Sequence, residues 1–457
     1  MSTQVGQVLN LAITDMTTDG AGIGRTEEGY TLFVKGALPG DKVKARVTYC
    51  KKAYGFADTL DVTEASPDRI PARCPVADRC GGCTLQTYDY QAQLAFKRKE
   101  VENVLSRIGG IDVGCEVEVQ DVIGMDEPFR YRNKSQYPVG RNTKGRIVCG
   151  FYESKSHHII PIRECYLSPL EDRMIIAAVL DFLEIRGIEP YDETSGKGLL
   201  RHILIRKGFT TGEIMVCLIV NGRKFPGVED LAQMLKDLVP GVKSVCLNVN
   251  TKRNNVILGE EVISVLGDPF ITDYIGDLSF RISPLSFYQV NPVQTKKLYD
   301  TVKEFAALTG NETVLDLYCG IGTIGLYLSD KAKEVYGVEI VPQAIKDAKE
   351  NAERNGVKNA HFSVGASEDI FENLPKADLT VLDPPRKGCD EKLLRDLIEK
   401  GSDRIVYVSC NPSTLARDIK ILKEGGYKLE AVRPCDMFPQ TCHVETVVLM
   451  SKVNTTK

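Results

Sequence analysis

Residues 313–325 read TVLDLYCGIGTIG, and this stretch decides the fold of the C-terminal part of the chain. Its first five residues are mostly apolar, as in a buried strand, and they lead directly into a glycine turn followed by a helix pattern. Further strands are predicted at 335–339, 377–382 and 404–409, with helices between them. Because strands alternate with helices, we expect a doubly wound parallel α/β sheet from about residue 271 onward.

The glycine turn after the first strand has the spacing of a nucleotide-binding loop. Gly320, Gly322 and Gly325 satisfy the dinucleotide fingerprint, and Glu339 lies nineteen residues after Gly320, where an acid can bind ribose hydroxyls. The spacing alone does not separate a nicotinamide cofactor from S-adenosylmethionine. Asp316 favours S-adenosylmethionine. Its carboxylate, just before the turn, would repel the pyrophosphate of a dinucleotide. The same carboxylate can order a turn that meets the ammonium and carboxylate groups of S-adenosylmethionine.

Three more polar residues stand where predicted strands end or begin. Cys410 follows the strand 404–409, Asp383 opens the sequence DPPR after another strand, and Glu445 precedes the strand 446–450. Ligands bind at the carboxyl edge of open α/β sheets, so we expect these side chains to gather there. Each also has a structural interpretation, as a buried thiol, a turn residue or a salt-bridged strand start. As a thiolate, Cys410 would be a strong nucleophile for an electron-poor double bond, with Glu445 as a candidate general base.

Cysteine usage points to a metal centre in the first half of the chain. The chain has 14 cysteines, and residues 74–83 read CPVADRCGGC. Clustered thiols in a reducing compartment indicate metal binding or catalysis. A four-thiol site needs one more ligand, for which Cys165 is the best candidate and Cys115 and Cys149 are competitors. Zinc is the alternative, but the five-residue first gap exceeds the spacing typical of zinc sites and favours an iron–sulfur cluster.

The first 61 residues predict a small β-barrel. Strand-like segments alternate with glycine turns, and in residues 42–47 valine or alanine alternates with lysine or arginine. A strand with this pattern has one apolar face and one basic face.

The middle of the chain predicts an α+β domain. Residues 89–108 have helical spacing and end at a glycine pair. Two hairpins are expected further on, the first between the strands 201–206 and 213–220 and the second between 245–250 and 255–258.

Charge distribution suggests a nucleic-acid partner, although the net charge of −4 does not. Residues 128–152 contain six basic residues and no acid, interleaved with aromatic residues that include Phe129, Tyr131 and Tyr137. This mixture suits phosphate neutralisation with base stacking, whereas a solvated charged face is the simpler interpretation.

Length and composition fit a multi-domain globular protein. With 457 residues, 43% hydrophobic and 26% charged, the chain is expected to form about three domains. We place them at residues 1–61, 62–270 and 271–457. No apolar run reaches membrane-spanning length and the N-terminus resembles no targeting signal, so we expect a cytoplasmic protein without a membrane partner. We also expect a monomer.

Several short motifs together resemble one known family. The chain is similar to the TRAM-containing uracil-C5 RNA methyltransferases, in particular the iron–sulfur enzymes that make 5-methyluridine in bacterial 23S ribosomal RNA. The motifs span nearly the whole chain: GAGIGR at 20–25, LPGD at 38–41, the cysteine loop at 74–83, SFYQVN at 286–291, DLYCG at 316–320, DPPR at 383–386, SCNP at 409–412 and HVE at 443–445.

This resemblance implies an architecture and a set of roles. It implies an N-terminal OB-like TRAM barrel, a central iron–sulfur domain and a Rossmann-like methyltransferase domain. It also implies that Cys410 attacks uracil C6 and that Glu445 removes the C5 proton. S-adenosylmethionine would be bound by Gln289, Tyr318, Gly320, Gly322, Glu339 and Asp383. A [4Fe-4S] cluster would be held by Cys74, Cys80, Cys83 and Cys165. Thr323 departs from the Asn that relatives often carry after the second glycine.

Other functions remain open at this stage. The same chemistry on transfer RNA is one alternative, and an iron–sulfur RNA-binding protein without methyl transfer is another. Radical chemistry at the cluster needs one iron without a protein ligand, which a fourth thiolate at Cys165 argues against. A nicotinamide oxidoreductase would be distinguished by the nucleotide that raises the melting temperature.

Overall fold

A computed structural model describes residues 3–153 and 156–453. The predicted domain limits at residues 1 and 457 therefore lie outside the described residues. The chain forms two compact units. The first runs to Glu100 and includes Phe438–His443, and the second takes Val101–Met437 and the residues from Val444 onward. No helix in the described part of the chain combines the length and hydropathy needed to cross a bilayer.

The first unit contains the expected small barrel. Five strands close it in the order β1-β2-β3-β5-β4: β1 Val8–Met16, β2 Gly22–Arg25, β3 Thr31–Lys35, β4 Lys42–Cys50 and β5 Tyr54–Glu64. Valine and alanine of β4 point into the barrel while its lysines and arginine point outward, as the alternation predicts. Gly22 lies so close to the Ala37 backbone that a Cβ there would come within 2.8 Å of the carbonyl oxygen. The interior is therefore tightly filled.

A returning segment of the chain completes the first unit. Gln440 has φ 70°. Its carbonyl accepts hydrogen bonds from the N–H groups of Thr84 and Leu85, both at 3.0 Å. Gln93 closes the arrangement, because its side-chain oxygen accepts from the Gln440 N–H at 3.1 Å.

The second unit begins within helix α1 (Tyr90–Arg107), which matches the helix expected at 89–108. Its first sheet is seven-stranded, in the order β12-β11-β10-β9-β6-β7-β8. The strands are β6 Lys134–Arg141, β7 Ile147–Tyr152, β8 Ile159–Pro161, β9 Leu200–Lys207, β10 Ile214–Val220, β11 Val242–Val249 and β12 Glu261–Leu266. Helices α2 (Glu171–Arg186) and α3 (Val228–Leu238) contribute to the apolar core on one face of the sheet.

Only one of the two expected hairpins has the expected strands. β9 and β10 pair antiparallel around Gly212, as predicted. The second prediction is wrong in its second strand, because the partner of β11 is β12 at Glu261–Leu266 and not residues 255–258. Asn250 explains the difference: its side-chain amide donates to the carbonyls of Val256 and Ile257 and holds that stretch as a loop.

The C-terminal part of the second unit forms the α/β sheet. A hairpin of β13 (Ile271–Ile275) and β14 (Leu278–Ile282) precedes it. The sheet order is β17-β16-β15-β18-β19-β21-β20. Its strands are β15 Thr313–Leu317, β16 Glu334–Glu339, β17 Ala360–Val364, β18 Leu379–Leu382, β19 Arg404–Ser409, β20 Tyr427–Cys435 and β21 Glu445–Lys452. The helices are α4 Pro292–Ala306, α5 Thr323–Leu328, α6 Pro342–Arg354, α7 Ser367–Ile370, α8 Glu391–Lys400 and α9 Pro412–Glu424, with a 3₁₀ turn at Phe371–Asn373.

One strand departs from the predicted parallel sheet. β15 to β19 pair in parallel, but β21 lies between β19 and β20 and runs antiparallel to both. The sequence predicts a strand at 446–450 but not its direction, because direction depends on how the chain returns after β20. The beginning of β21 consequently lies beside the carboxyl ends of the other strands.

Candidate active site

The antiparallel strand brings Cys410 and Glu445 to the same edge of the sheet. Ser409 at the end of β19 pairs with Thr446 near the start of β21. Cys410 and Glu445 are the next residues outward on the two strands. Cys410 is half-buried, whereas Glu445 is buried.

Asp383 joins them from the neighbouring strand. It directly follows β18, and its N–H donates to the Leu317 carbonyl at the end of β15 at 3.4 Å. The loop after Asp383 is fixed against α9, since Asn411 and Thr414 both donate to the Arg386 carbonyl, at 3.1 and 3.2 Å.

The buried carboxylate of Asp418 holds this loop in place. Asp418 on α9 is fully buried and accepts hydrogen bonds from the Cys389 N–H at 2.9 Å and the Tyr407 hydroxyl at 2.7 Å. Arg417 donates to its other oxygen at 2.8 Å. Breaking a buried, charged hydrogen-bond network of this kind is strongly destabilising, so the network fixes the edge where Asp383 and Cys410 stand.

Burial sets the protonation of these groups. It raises the pKa of Glu445 to about 8, and the charge of Asp383 raises it further while Arg386 acts in the opposite direction. Burial also raises the pKa of Cys410 to about 11, with additional contributions from Glu445 and Asp383 that Arg386 partly offsets. Burial raises the pKa of Asp383 to about 7. Carboxyl groups crowded in a poorly solvated site favour their neutral forms until a positive charge arrives.

The glycine turn lies at the same edge and is organised by Asp316, as the sequence predicts. The buried Asp316 carboxylate accepts the Gly325 N–H at 2.8 Å, while its other oxygen has no hydrogen-bond partner among the described residues. Burial raises the pKa of Asp316 to about 7. Tyr318 has φ 67°, a conformation that costs a bulky side chain about 1–3 kcal/mol and that clusters at functional sites.

The acid at the end of β16 closes the turn. Glu339 accepts from the Gly320 N–H at 3.3 Å and from the Val341 N–H at 2.9 Å. Gly320 has φ 55°, and a Cβ there would meet no described atom within 4 Å. At Gly322 a Cβ would come within 2.8 Å of the Phe362 ring. The two glycines therefore have different roles, the first in backbone conformation and the second also in packing.

Gln289 lies in a loop that the central sheet holds in place. Asn133 donates to the Gln289 carbonyl at 2.9 Å, and the fully buried Arg206 donates to the Ser286 carbonyl at 2.5 Å. Phe287 is 71% exposed, whereas Tyr288 is buried. Of these two aromatic residues, only Phe287 is available to contact a ligand from solvent.

Sequence reasoning assigned no role to three residues near this edge. Arg386 is the cation that opposes the pKa rise at both Cys410 and Glu445. Tyr299 on α4 and Thr323 at the start of α5 share a hydrogen bond of 2.8 Å between their hydroxyls. Arg386 stands in the DPPR motif and could have been identified there. The Tyr299–Thr323 contact joins residues far apart in sequence and leaves no local signal.

The cysteine loop lies in the first unit. Cys74, Cys80 and Cys83 are half-buried. The Gly82 N–H donates to the Cys80 sulfur at 3.4 Å and the Gln86 amide to the Cys83 sulfur at 3.2 Å. Hydrogen bonds of this kind suit thiolate ligands of iron. Within residues 3–153 and 156–453, however, no three His, Cys, Asp or Glu side chains converge on a common metal position. The cluster therefore stays a prediction.

The candidates for the fourth thiolate differ in their surroundings. Cys149 is buried in the apolar core of the central sheet, where burial raises its pKa, so it is a poor ligand. Cys165 is half-buried and Cys115 is exposed. Arg130 donates to the Cys165 carbonyl at 2.7 Å and fixes its backbone.

The interpretation of residues 128–152 as a stacking surface is wrong for two of its aromatic residues. Tyr131 and Tyr137 are buried, and the Tyr137 hydroxyl donates to Asp172 at 2.7 Å. Two of the basic residues form ion pairs within the unit, Arg130 with Glu164 and Arg141 with Glu189. The linear sequence cannot reveal these pairs, because the acids lie more than thirty residues away.

Comparisons with known proteins identify the family of the chain. Residues 210–453 match the family described as tRNA (uracil-5-)-methyltransferase, and residues 2–60 match the TRAM domain. An uncharacterized RNA methyltransferase of Halalkalibacterium halodurans is 50% identical over 98% of this chain and 97% of its own. One from Bacillus cereus is 48% identical over the same shares. A solved structure, the Pyrococcus abyssi tRNA (uracil-54, C5)-methyltransferase in complex with S-adenosyl-L-homocysteine, is 30% identical and superposes with a TM-score of 0.79, covering 96% of this chain and 99% of that one.

The fold and the relatives define an RNA methyltransferase with an N-terminal TRAM barrel and a C-terminal methyltransferase domain. The chain belongs to the tRNA (uracil-5-)-methyltransferase family.

The buried Glu445 predicts how stability depends on pH. Burial raises its pKa from the usual 4.5 to about 8 in the folded protein, so between these values the unfolded chain binds fewer protons than the folded one. The free energy of unfolding contributed by this group is therefore fully present below about pH 4.5 and is lost as the pH rises towards about 8. Glu445→Gln should flatten this decline in urea unfolding measured between about pH 5 and about pH 8.

The exposed acid Glu391 provides the control. Glu391→Gln should leave the pH dependence as in the wild type. An equally steep decline in Glu445→Gln would contradict the raised pKa.

Proposed function

We propose that this protein transfers a methyl group from S-adenosylmethionine to C5 of a uracil in 23S ribosomal RNA, giving 5-methyluridine through a covalent adduct with Cys410. The observation that carries the proposal is the position of Cys410 directly after β19 and of Glu445 at the start of the adjacent antiparallel strand β21, at one sheet edge. The ribosomal target is supported by the sequence resemblance, through the barrel and the cysteine loop.

Transfer RNA is the second candidate substrate. It is supported by the likeness to the Pyrococcus abyssi enzyme, whose own substrate is uracil 54 of tRNA. The methyl-transfer chemistry is the same for both RNAs, so the two candidates differ in recognition alone.

The glycine turn fits a methyl donor with an amino acid end and a ribose. The Asp316 oxygen without a hydrogen-bond partner supports an ammonium group at this turn, and the position of Glu339 at the end of β16 supports its assignment to the ribose hydroxyls. We assign donor binding to the set that the sequence predicts: Gln289, Tyr318, Gly320, Gly322, Glu339 and Asp383. The donor supplies an electrophilic methyl and a positive sulfonium charge, which favours the ionised forms of nearby acids and thiols.

The reaction proceeds by addition followed by elimination. The Cys410 thiolate adds to uracil C6, and the electron pair of the C5–C6 double bond moves to C5, which takes the methyl from the sulfonium. Glu445 then removes the C5 proton, the double bond re-forms, and the C6–sulfur bond breaks to return Cys410. Atoms balance, because one methyl replaces one proton on C5.

Proton positions follow from the raised pKa values. Before ligands bind, burial and neighbouring acids keep Cys410 and Glu445 largely protonated at neutral pH. Arg386 favours their charged forms, so we assign it to stabilising the thiolate and the carboxylate during the reaction.

The target uracil must leave its stack to reach the thiol at the sheet edge. Phe287 is highly exposed on the loop that carries Gln289. We assign it to stacking on the flipped base or to filling the gap that the base leaves.

We retain the [4Fe-4S] cluster as part of the proposal. The donor set of four thiols, with Cys74, Cys80 and Cys83 from the loop and Cys165 from the sequence prediction, suits iron–sulfur chemistry. No step of methyl transfer is assigned to it.

Labelling with tritiated S-adenosylmethionine tests the reaction and its substrate. Incubation with separate 23S, 16S and transfer RNAs should label 23S RNA in the wild type, and Cys410→Ala should reduce labelling by at least about 10³-fold because the covalent step is lost. Preferential labelling of transfer RNA would select the second candidate. Equal labelling by wild type and Cys410→Ala would exclude Cys410 as the nucleophile.

Glu445→Gln separates the nucleophile from the base. Without a base the adduct forms and takes the methyl but cannot lose the C5 proton, so a methylated protein–RNA species should accumulate. A denaturing gel detects it as a slower band carrying the tritium label. The double variant Cys410→Ala/Glu445→Gln is the control and should give no such band. Its absence from Glu445→Gln would contradict the division of roles.

Iron and sulfide analysis tests the cluster. Anaerobically purified protein should contain about four irons and four sulfides per chain, and Cys83→Ser should lose most of both. Cys149→Ser, at the buried cysteine, should keep them. Zinc in place of iron, or full iron in Cys83→Ser, would contradict the assignment.

A further inference from the structure

A row of polar side chains lies in the apolar core next to the site, and no step of the proposed reaction uses it. The Cys389 thiol donates to the Tyr407 hydroxyl at 3.6 Å, and that hydroxyl donates to Asp418 at 2.7 Å. Cys389 is only 5% exposed, and Tyr407 and Asp418 are fully buried. Tyr318 packs against the same apolar cluster. We call Tyr318, Cys389, Tyr407 and Asp418 the polar row.

The Tyr318 hydroxyl forms the outer end of the polar row. Burial raises the pKa of Tyr318, and the neighbouring Cys389 raises it further, in part through a hydrogen bond, whereas the Asp390 N–H lowers it. Burial also raises the pKa of Cys389 to about 12, while the hydrogen bond from Tyr318 acts in the opposite direction. Tyr318 therefore accepts from the Asp390 N–H and donates to Cys389. Every donor of the row points toward Asp418, and aligned hydrogen bonds of this kind strengthen one another.

The polar row connects the ends of three strands that are neighbours in the sheet. Tyr318 follows β15, Cys389 lies in the loop after β18, and Tyr407 lies in β19. Asp418 adds helix α9, which begins two residues after Cys410. The row thus links the glycine turn to the elements before and after the proposed nucleophile.

The loop that carries Cys389 lies tightly against α9. Gly388 has φ 80°, and a Cβ there would lie 2.5 Å from the Arg417 guanidinium and 2.7 Å from an Asp418 oxygen. Arg417 also donates to the Lys387 and Cys389 carbonyls, at 3.1 and 3.3 Å. Cys389 is therefore fixed by its backbone as well as by its side chain.

Tyr318 needs this support because its backbone is strained. A bulky residue at φ 67° persists only where the surrounding contacts determine its conformation. The Cys389 thiol and the Asp390 N–H supply such contacts at the tip of the ring.

We infer that Cys389 is a positioning residue for the methyl donor, because it orients the Tyr318 side chain in the proposed donor site. Tyr407 and Asp418 keep Cys389 in place. A free cysteine in a core usually acts as a small apolar residue. An apolar side chain at this position would, however, leave the Tyr318 hydroxyl without its acceptor, and an unsatisfied polar group in a core is costly. The inference rests on the proposed function in taking Tyr318 as a donor-binding residue.

Binding of S-adenosylhomocysteine to the full-length protein without RNA tests this role. In isothermal titration calorimetry, Cys389→Ala should weaken binding about tenfold, the size expected for the loss of one buried hydrogen bond. Cys389→Ser should restore most of the affinity, because a hydroxyl also donates and accepts. In methylation assays Cys389→Ala should raise the KM for the donor and leave the KM for RNA unchanged. The matched control is Cys246→Ala, at a fully buried cysteine of the central sheet, which should bind as the wild type does.

A double-variant cycle tests whether Cys389 acts through Tyr318. Tyr318→Phe should weaken binding to a similar extent, and adding Cys389→Ala to it should cause no further loss. Full additivity of the two losses would overturn the inference, because Cys389 would then act on the donor site by another route. Tyr407→Phe removes the hydroxyl between Cys389 and Asp418 and should weaken binding in the same way. It provides the same test if Cys389→Ala does not fold.

Two further outcomes would overturn the inference. One is wild-type affinity in Cys389→Ala. The other is an equal loss in Cys246→Ala, which would indicate general destabilisation.

Failure of the inference is distinguishable from failure of the proposed function. Donor binding that depends on Cys389 in a protein that methylates no RNA would refute the function and keep the inference. Methyl transfer with donor binding unchanged in Cys389→Ala would refute the inference and keep the function.

Discussion

The direction of strand β21 is the constraint on which the active-site geometry depends. In a sheet of parallel strands, carboxyl ends alone supply the ligand-binding edge. Because β21 runs antiparallel between β19 and β20, it brings its beginning to that edge, and Glu445 stands beside Cys410. A parallel β21 would place the same glutamate at the opposite edge. The proposed pairing of nucleophile and base is therefore a property of topology as much as of residue type.

The site also contains several buried acids. Asp316, Asp383 and Glu445 all have raised pKa values, with burial as the largest cause in each case. Arg386 opposes the rise at Glu445, and a further positive charge nearby would favour the ionised acids more strongly. In the proposed reaction, a sulfonium donor brings such a charge to the place where the Cys410 thiol ionises. On this reasoning donor binding and nucleophile activation are coupled electrostatically.

Much of the C-terminal domain could be predicted from sequence, because its signals are local. The strand 404–409 and the glycine turn with Asp316 are each encoded within a few neighbouring residues, and Arg404–Ser409 was found as predicted. What could not be predicted depends on contacts distant in sequence. Asn250 holds residues 255–258 as a loop where a strand was expected. Tyr137, expected to stack on RNA bases, is a core residue that donates a hydrogen bond to Asp172. Strand β21 runs antiparallel instead of parallel. Binding of one cluster by four cysteines also depends on a contact distant in sequence. The spacing within residues 74–83 does not reveal that contact, and only the resemblance to a known family predicts it.

The filled interior of the N-terminal barrel has an evolutionary consequence. Gly22 and Gly55 have no room for a side chain, and the inward residues of the strands form one apolar core. Outward positions on β3, β4 and β5 can then change with little cost to folding, since substitutions away from the core usually shift stability by less than about 0.5 kcal/mol. The requirements of folding thus act on the inward faces of these strands much more than on their outward faces. The outward face can therefore diverge among relatives while the barrel itself stays the same.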